Sequence, residues 1–123
     1  LGLIYVGFDE LFRKANILSI HLALTPETEG MVGERELSLM KPSAFLINTA
    51  RGAIVDEEAL YKALKDGKLA GAGLDVFVEE PYKGKLGELP NVVLTPHVGS
   101  DTREAQLRSG LSLAEKIMVE LRI

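Results

Sequence analysis

Arg51, Glu80 and His97 each stand where an apolar run gives way to polar chain: Asn48-Thr49-Ala50-Arg51-Gly52, Asp75-Val76-Phe77-Val78-Glu79-Glu80-Pro81 and Leu94-Thr95-Pro96-His97-Val98-Gly99. A guanidinium grips a carboxylate through two parallel hydrogen bonds and polarises a neighbouring carbonyl, and Gly52 lets the backbone turn closely after it. An imidazole gives and takes protons near neutral pH. A carboxylate beside the imidazole orients it and favours its charged form. Singly, each residue has a plainer reading: a solvated strand-end charge, a turn residue after proline, a hydrated loop carboxylate. Together they suit the reduction of a 2-oxo acid, with Arg51 holding the anion and His97 protonating the carbonyl oxygen as hydride arrives from a nicotinamide.

Side chains so far apart in sequence meet only if the fold brings strand ends together. Ile17 to Leu22, Ala44 to Ile47, Gly73 to Phe77 and Val92 to Leu94 are short and apolar, as expected of strands buried on both faces. Between them lie helical stretches. Asp56 is placed to cap a helix over Glu57 to Lys65 with Gly67 beyond its end, and Glu34 to Met40 must stop before Lys41-Pro42. Asp101 with Glu104 is a candidate cap for a last helix, whose Leu107, Leu111, Ala114, Met118 and Leu121 form a stripe expected to face apolar neighbours. Lys83 to Glu88 reads as a solvated loop. Strand and helix alternation of this kind predicts an α/β fold with a parallel sheet, whose carboxyl edge is the ligand crevice.

With 46% hydrophobic and 26% charged residues among 123, the chain has material for one globular core. Its net charge of −4 gives no general attraction to nucleic acid or anionic membrane. The absence of cysteine excludes disulfides and thiolate metal sites. No apolar run approaches the ~20 residues of a membrane span, so a soluble, cytoplasmic protein is expected. His21 and His97 without further ligands make no convincing metal pair, and no metal is assigned. Gly71-Ala72-Gly73-Leu74-Asp75 resembles a dinucleotide fingerprint but lacks its third glycine and leads into a strand.

The runs HLALTPET (His21 to Thr28), INTARGAIVDEEAL (Ile47 to Leu60), GAGLDVFVEEP (Gly71 to Pro81) and LTPHVGSDT (Leu94 to Thr102) closely resemble the D-isomer-specific 2-hydroxyacid dehydrogenases. The resemblance implies a Rossmann-type doubly wound sheet and a catalytic set of Arg51, Glu80 and His97, with Glu80 rather than Glu79 because it directly precedes Pro81. It further implies that Leu22, Thr28, Thr49, Ala50, Arg51, Asp75, His97 and Gly99 lie along an NAD cofactor, with NADP left open, and that Asp75 meets the nicotinamide carboxamide. Many members carry proline where Ala23 stands, which is expected to loosen that loop.

By the same resemblance the chain is part of a nucleotide-binding domain. The glycine-rich phosphate loop, the first two strands and the substrate domain are expected outside it. If Ile17 to Leu22 is the third strand of the order 3-2-1-4-5-6, its neighbours are missing. It must then pair directly with Phe45 to Asn48, or two chains must complete each other's edges in a homodimer. Pro96 to Ile117 looks most like D-3-phosphoglycerate dehydrogenases, which open serine biosynthesis. Glyoxylate or hydroxypyruvate reductases come next, and a non-catalytic, cofactor-sensing corepressor is the reading from a different class.

Overall fold

A computed structural model describes residues 2–122. Four strands, β1 (Ile17–Ile20), β2 (Phe45–Asn48), β3 (Gly71–Leu74) and β4 (Val92–Leu94), form one parallel sheet in the order β1-β2-β3-β4. Ile20 pairs with Asn48, Asn48 with Leu74, and Leu74 with Leu94, so the four carboxyl ends lie in one row. This alignment brings the segments carrying Arg51, Glu80 and His97 to the same edge of the sheet. Direct parallel pairing of β1 with β2 is one of the two arrangements expected.

Helices α1 (Phe8–Lys14), α2 (Glu34–Leu39) and α3 (Glu57–Lys65) pack side by side on one face of the sheet. The core lies between them and the row Leu18, Leu46 and Ala72, and includes the fully buried Phe12, Leu37, Ile54 and Leu60. Ion pairs lace the helix surface: Arg35 of α2 donates two hydrogen bonds to Asp9 of α1, and Lys62 of α3 meets Glu34 of α2 at 3.0 Å. The Asp56 carboxylate accepts from Glu58 N and Ala59 N at 3.0 Å each, and Gly67 closes the other end of α3 at φ +69°. Asp56→Ala therefore lowers stability by about 1 kcal/mol, read as a shift of the urea midpoint with an unchanged m-value.

The sheet departs from the expectation of burial on both faces. On the side away from the helices Ile17 and Val93 remain 68% exposed and Phe45 46%, because α1 to α3 all pack on the other side. The last helix, α4 (Arg103–Leu121), also differs: none of its residues is buried, and Leu107, Leu111, Ala114, Met118 and Leu121 of its expected apolar stripe are exposed. Its cap is Thr102, whose Oγ1 accepts from Ala105 N at 3.1 Å, rather than Asp101 with Glu104. Lys85–Glu88 is a 3-10 turn rather than plain loop, because Leu86 within it is fully buried and its N–H donates to the Tyr82 hydroxyl.

Candidate active site at the carboxyl edge of the sheet

After β2 the chain turns sharply, and Asn48 sets the turn. Its side chain, 1% exposed, accepts from Ala50 N at 3.1 Å and donates to the Arg51 carbonyl at 2.9 Å. A buried amide with both ends satisfied fixes the backbone of Thr49, Ala50 and Arg51. The Arg51 guanidinium donates through Nη1 to the Ala50 carbonyl at 2.6 Å, and the residue is otherwise exposed toward solvent. Gly52 then lies against the next loop so closely that a Cβ there would overlap the Phe77 carbonyl carbon and oxygen.

After β3, Asp75 is buried and accepts three hydrogen bonds from the segment following β4. The donors are the Thr95 hydroxyl, Val98 N at 3.0 Å and Gly99 N at 2.8 Å. Between them His97 sits in the left-handed region at φ 56°, an uncommon conformation for a residue with a side chain. Asp75 thus holds both ends of the turn that presents the imidazole. The Asp75 carboxyl lies below the usual carboxylate range, chiefly through the Thr95 hydroxyl; burial opposes this, and the Val98 and Gly99 amides and the charge of His97 add to it. A carboxyl whose folded value is depressed stabilises fully above its unfolded value and loses that contribution as pH falls through the folded one. Acidification below about 3.9 is therefore expected to release the turn, seen as faster amide exchange at Val98 and Gly99.

Glu80 and His97 meet directly. His97 Nδ1 lies 2.9 Å from Glu80 Oε2 and 3.2 Å from Oε1, and Phe77 N donates to Oε1 at 3.1 Å. The His97 hydrogen bond is the main reason that the Glu80 carboxyl is lowered, with the Phe77 amide second. An ionised carboxylate only accepts, so the proton of this bond belongs to Nδ1, and Nε2 has no hydrogen-bond partner among the described residues. Arg51 makes no hydrogen bond to either residue, but Gly52 touches the loop that bears Glu80.

The remaining expected positions fall in two places. Thr49, Ala50 and Arg51 occupy the turn after β2, whereas Leu22 and Thr28 lie in the loop after β1. That loop is not loose at Ala23, because Thr28 Oγ1 donates to the Ala23 carbonyl at 2.8 Å and accepts from Thr25 N at 2.8 Å. Sequence reading missed Asn48 and Thr95 as supports. A polar residue closing each apolar run was their only local signal.

A family model described as D-isomer specific 2-hydroxyacid dehydrogenase, NAD binding domain, matches residues 1–99. The chain belongs to this family. It is 58% identical over 107 residues to a glyoxylate reductase of Thermococcus litoralis, covering 86% of the chain and 32% of that protein. With a D-3-phosphoglycerate dehydrogenase of Methanocaldococcus jannaschii it shares 47% over 115 residues, 93% of the chain and 22% of that protein. The chain thus spans a third or less of these relatives. Among solved structures, a D-isomer specific 2-hydroxyacid dehydrogenase of Lactobacillus delbrueckii in its NAD-complexed form matches with a TM-score of 0.83 at 39% identity, over 94% of the chain and 40% of that structure. An acyclic imino acid reductase in complex with NADPH and D-Arg matches with a TM-score of 0.89 at 42% identity, over 95% of the chain and 38% of that structure.

Likeness of this extent to much longer dehydrogenase-family chains means that β1 beside β2 is the family's own arrangement and no rearrangement. Ile17–Ile20 therefore takes the place of the fourth strand in the order 3-2-1-4-5-6, not the third. In that order the first strand lies beside the fourth, and no strand among the described residues pairs with that edge of β1.

Proposed function

We propose that the protein containing this chain is an NAD(P)-dependent oxidoreductase that interconverts a small 2-oxo acid and its D-2-hydroxy acid. The observation that carries the reading is the Glu80–His97 pair, with Nδ1 at 2.9 Å from the carboxylate and Nε2 without a hydrogen-bond partner among the described residues. His97 Nε2 holds the proton that passes to the carbonyl oxygen in reduction and receives it back in oxidation. Glu80 keeps the ring in the required orientation through its hydrogen bond to Nδ1. Arg51 binds the substrate carboxylate and draws electron density from the adjacent carbonyl.

The site fits a nicotinamide. Asp75 Oδ2 accepts one hydrogen bond within the chain, from Gly99 N, and keeps acceptor capacity for an amide N–H. Gly99 leaves that oxygen approachable, since a Cβ there would stand 2.9 Å from it. Leu22, Thr28, Thr49, Ala50, Arg51, Asp75, His97 and Gly99 are the residues assigned to hold the cofactor. When bound, the reduced nicotinamide supplies the hydride.

Glyoxylate and hydroxypyruvate are the substrates we favour, a reading supported by 58% and 52% identity to glyoxylate reductases of Thermococcus litoralis and Aeropyrum pernix. Oxidation of 3-phosphoglycerate, the first choice from sequence, is supported by the stretch Pro96 to Ile117 and by 47% identity to the Methanocaldococcus jannaschii enzyme. Steady-state assays of the full-length protein with glyoxylate, hydroxypyruvate and 3-phosphoglycerate decide between them by the ratio of kcat/KM. Cofactor binding without turnover of any of the three would sink the enzyme reading and favour the corepressor class.

A further inference from the structure

Arg51 and Glu80 must act on one substrate, yet they make no hydrogen bond to each other and sit on loops after different strands. Something has to set their separation. The loop of Glu80 is pinned at one place by its own turn, through Phe77 N to Glu80 Oε1 at 3.1 Å. Its neighbouring amide, Val78 N, donates at 2.8 Å to Oε1 of Glu57, 21 residues away in the first turn of α3. That helix begins only a few residues after Arg51, beyond the short 3-10 turn Gly52–Ile54.

We propose that Glu57 is a positioning residue, the tie that registers the Arg51 segment against the Glu80 segment and so aims the Glu80–His97 pair at the anion held by Arg51. The tie is mechanically sound because both of its ends are anchored. On one side α3 is fixed by the buried Leu60 and Leu64 and by the Asp56 cap. On the other, the buried Phe77 stacks on Tyr82 with ring centroids 4.4 Å apart and presses on Gly52. Val78 itself is 64% exposed, so its side chain contributes little anchorage and its amide hydrogen bond is the constraint at that point. A carboxylate bound to a backbone amide gives a shorter and stronger hydrogen bond than a neutral pair, which suits a single-point tie. Glu57 touches neither substrate nor cofactor in this scheme, and its effect passes through the loop to Glu80.

The inference rests on the dehydrogenase reading, which the turnover of the unsubstituted full-length protein tests separately. Glu57→Ala and Glu57→Gln are then compared with it. Loss of the tie is expected to lower kcat about tenfold in the alanine variant, with the KM for the 2-oxo acid changed by less than about twofold because Arg51 is untouched. The glutamine variant keeps an amide oxygen for Val78 N and is expected to restore most of the rate. The proton resonance of His97 Nδ1–H reports the Glu80 pair directly; it should shift or broaden in the alanine variant and persist with glutamine. If the alanine variant keeps the parental kcat and resonance, or if glutamine falls as far as alanine, Glu57 does not act as a hydrogen-bonding tie and the proposal is overturned.

Discussion

With the function proposed above, His97→Ala in the full-length protein is expected to lower kcat for 2-oxo acid reduction by about a hundredfold or more. The carbonyl oxygen becomes an alkoxide as hydride adds, and without a donor that charge must be met by water, which is a weaker acid and poorly placed. Glu80 is then left with Phe77 N as its remaining hydrogen-bond partner. Its carboxyl, now lowered mainly by His97, should titrate closer to the ordinary range. With the substrate anion assigned to Arg51 by the proposed function, KM is expected to move much less than kcat. The check is single-turnover kinetics, in which hydride transfer is followed by loss of nicotinamide absorbance and separated from product release. A variant that keeps the parental single-turnover rate would remove His97 from the proton-transfer role.

Gly52→Ala is expected to act on both stability and turnover. The added Cβ would overlap the carbonyl carbon and oxygen of Phe77, and both are backbone atoms that no rotamer change can clear. Either the turn after Arg51 or the loop bearing Glu80 must move. Overpacking of this kind costs about 1–3 kcal/mol, and a displacement of about 1 Å at reacting groups costs on the order of a hundredfold in rate. Thermal unfolding and kcat/KM measured together test the link. A stable protein with unaltered kcat/KM would show that the two loops adjust independently and that close contact at Gly52 has no part in aligning Arg51 with Glu80.

The parts of this site that were legible in sequence share a physical reason: polar residues that end buried strands must emerge at one edge of a parallel sheet. Asp56, Glu57 to Lys65 and Gly67 were readable for a similarly local reason, since a cap, a helix and a left-handed stop lie within a dozen residues. The supports were not readable, because their partners are remote. Glu57 and Val78, or Asp75 and the Thr95 to Gly99 turn, are joined only once strands and helices have found their places. Strand burial was misjudged because an apolar pattern shows what a face can bury and not what covers it. Leu86 was missed as an anchor because one leucine among glycines and charges has no periodic signal.

The 19-residue helix α4 buries none of its side chains, whereas the rest of the chain shares one core. Its hydrogen bonds are consequently expected to open at lower cost than those of the unit formed by the sheet and α1 to α3. A helix with no buried side chain is expected to open by fraying from its ends, with Thr102 as the capping contact that resists at its start. His97 is expected to stay clear of that fraying, because Asp75 ties its turn to β3 before the helix begins.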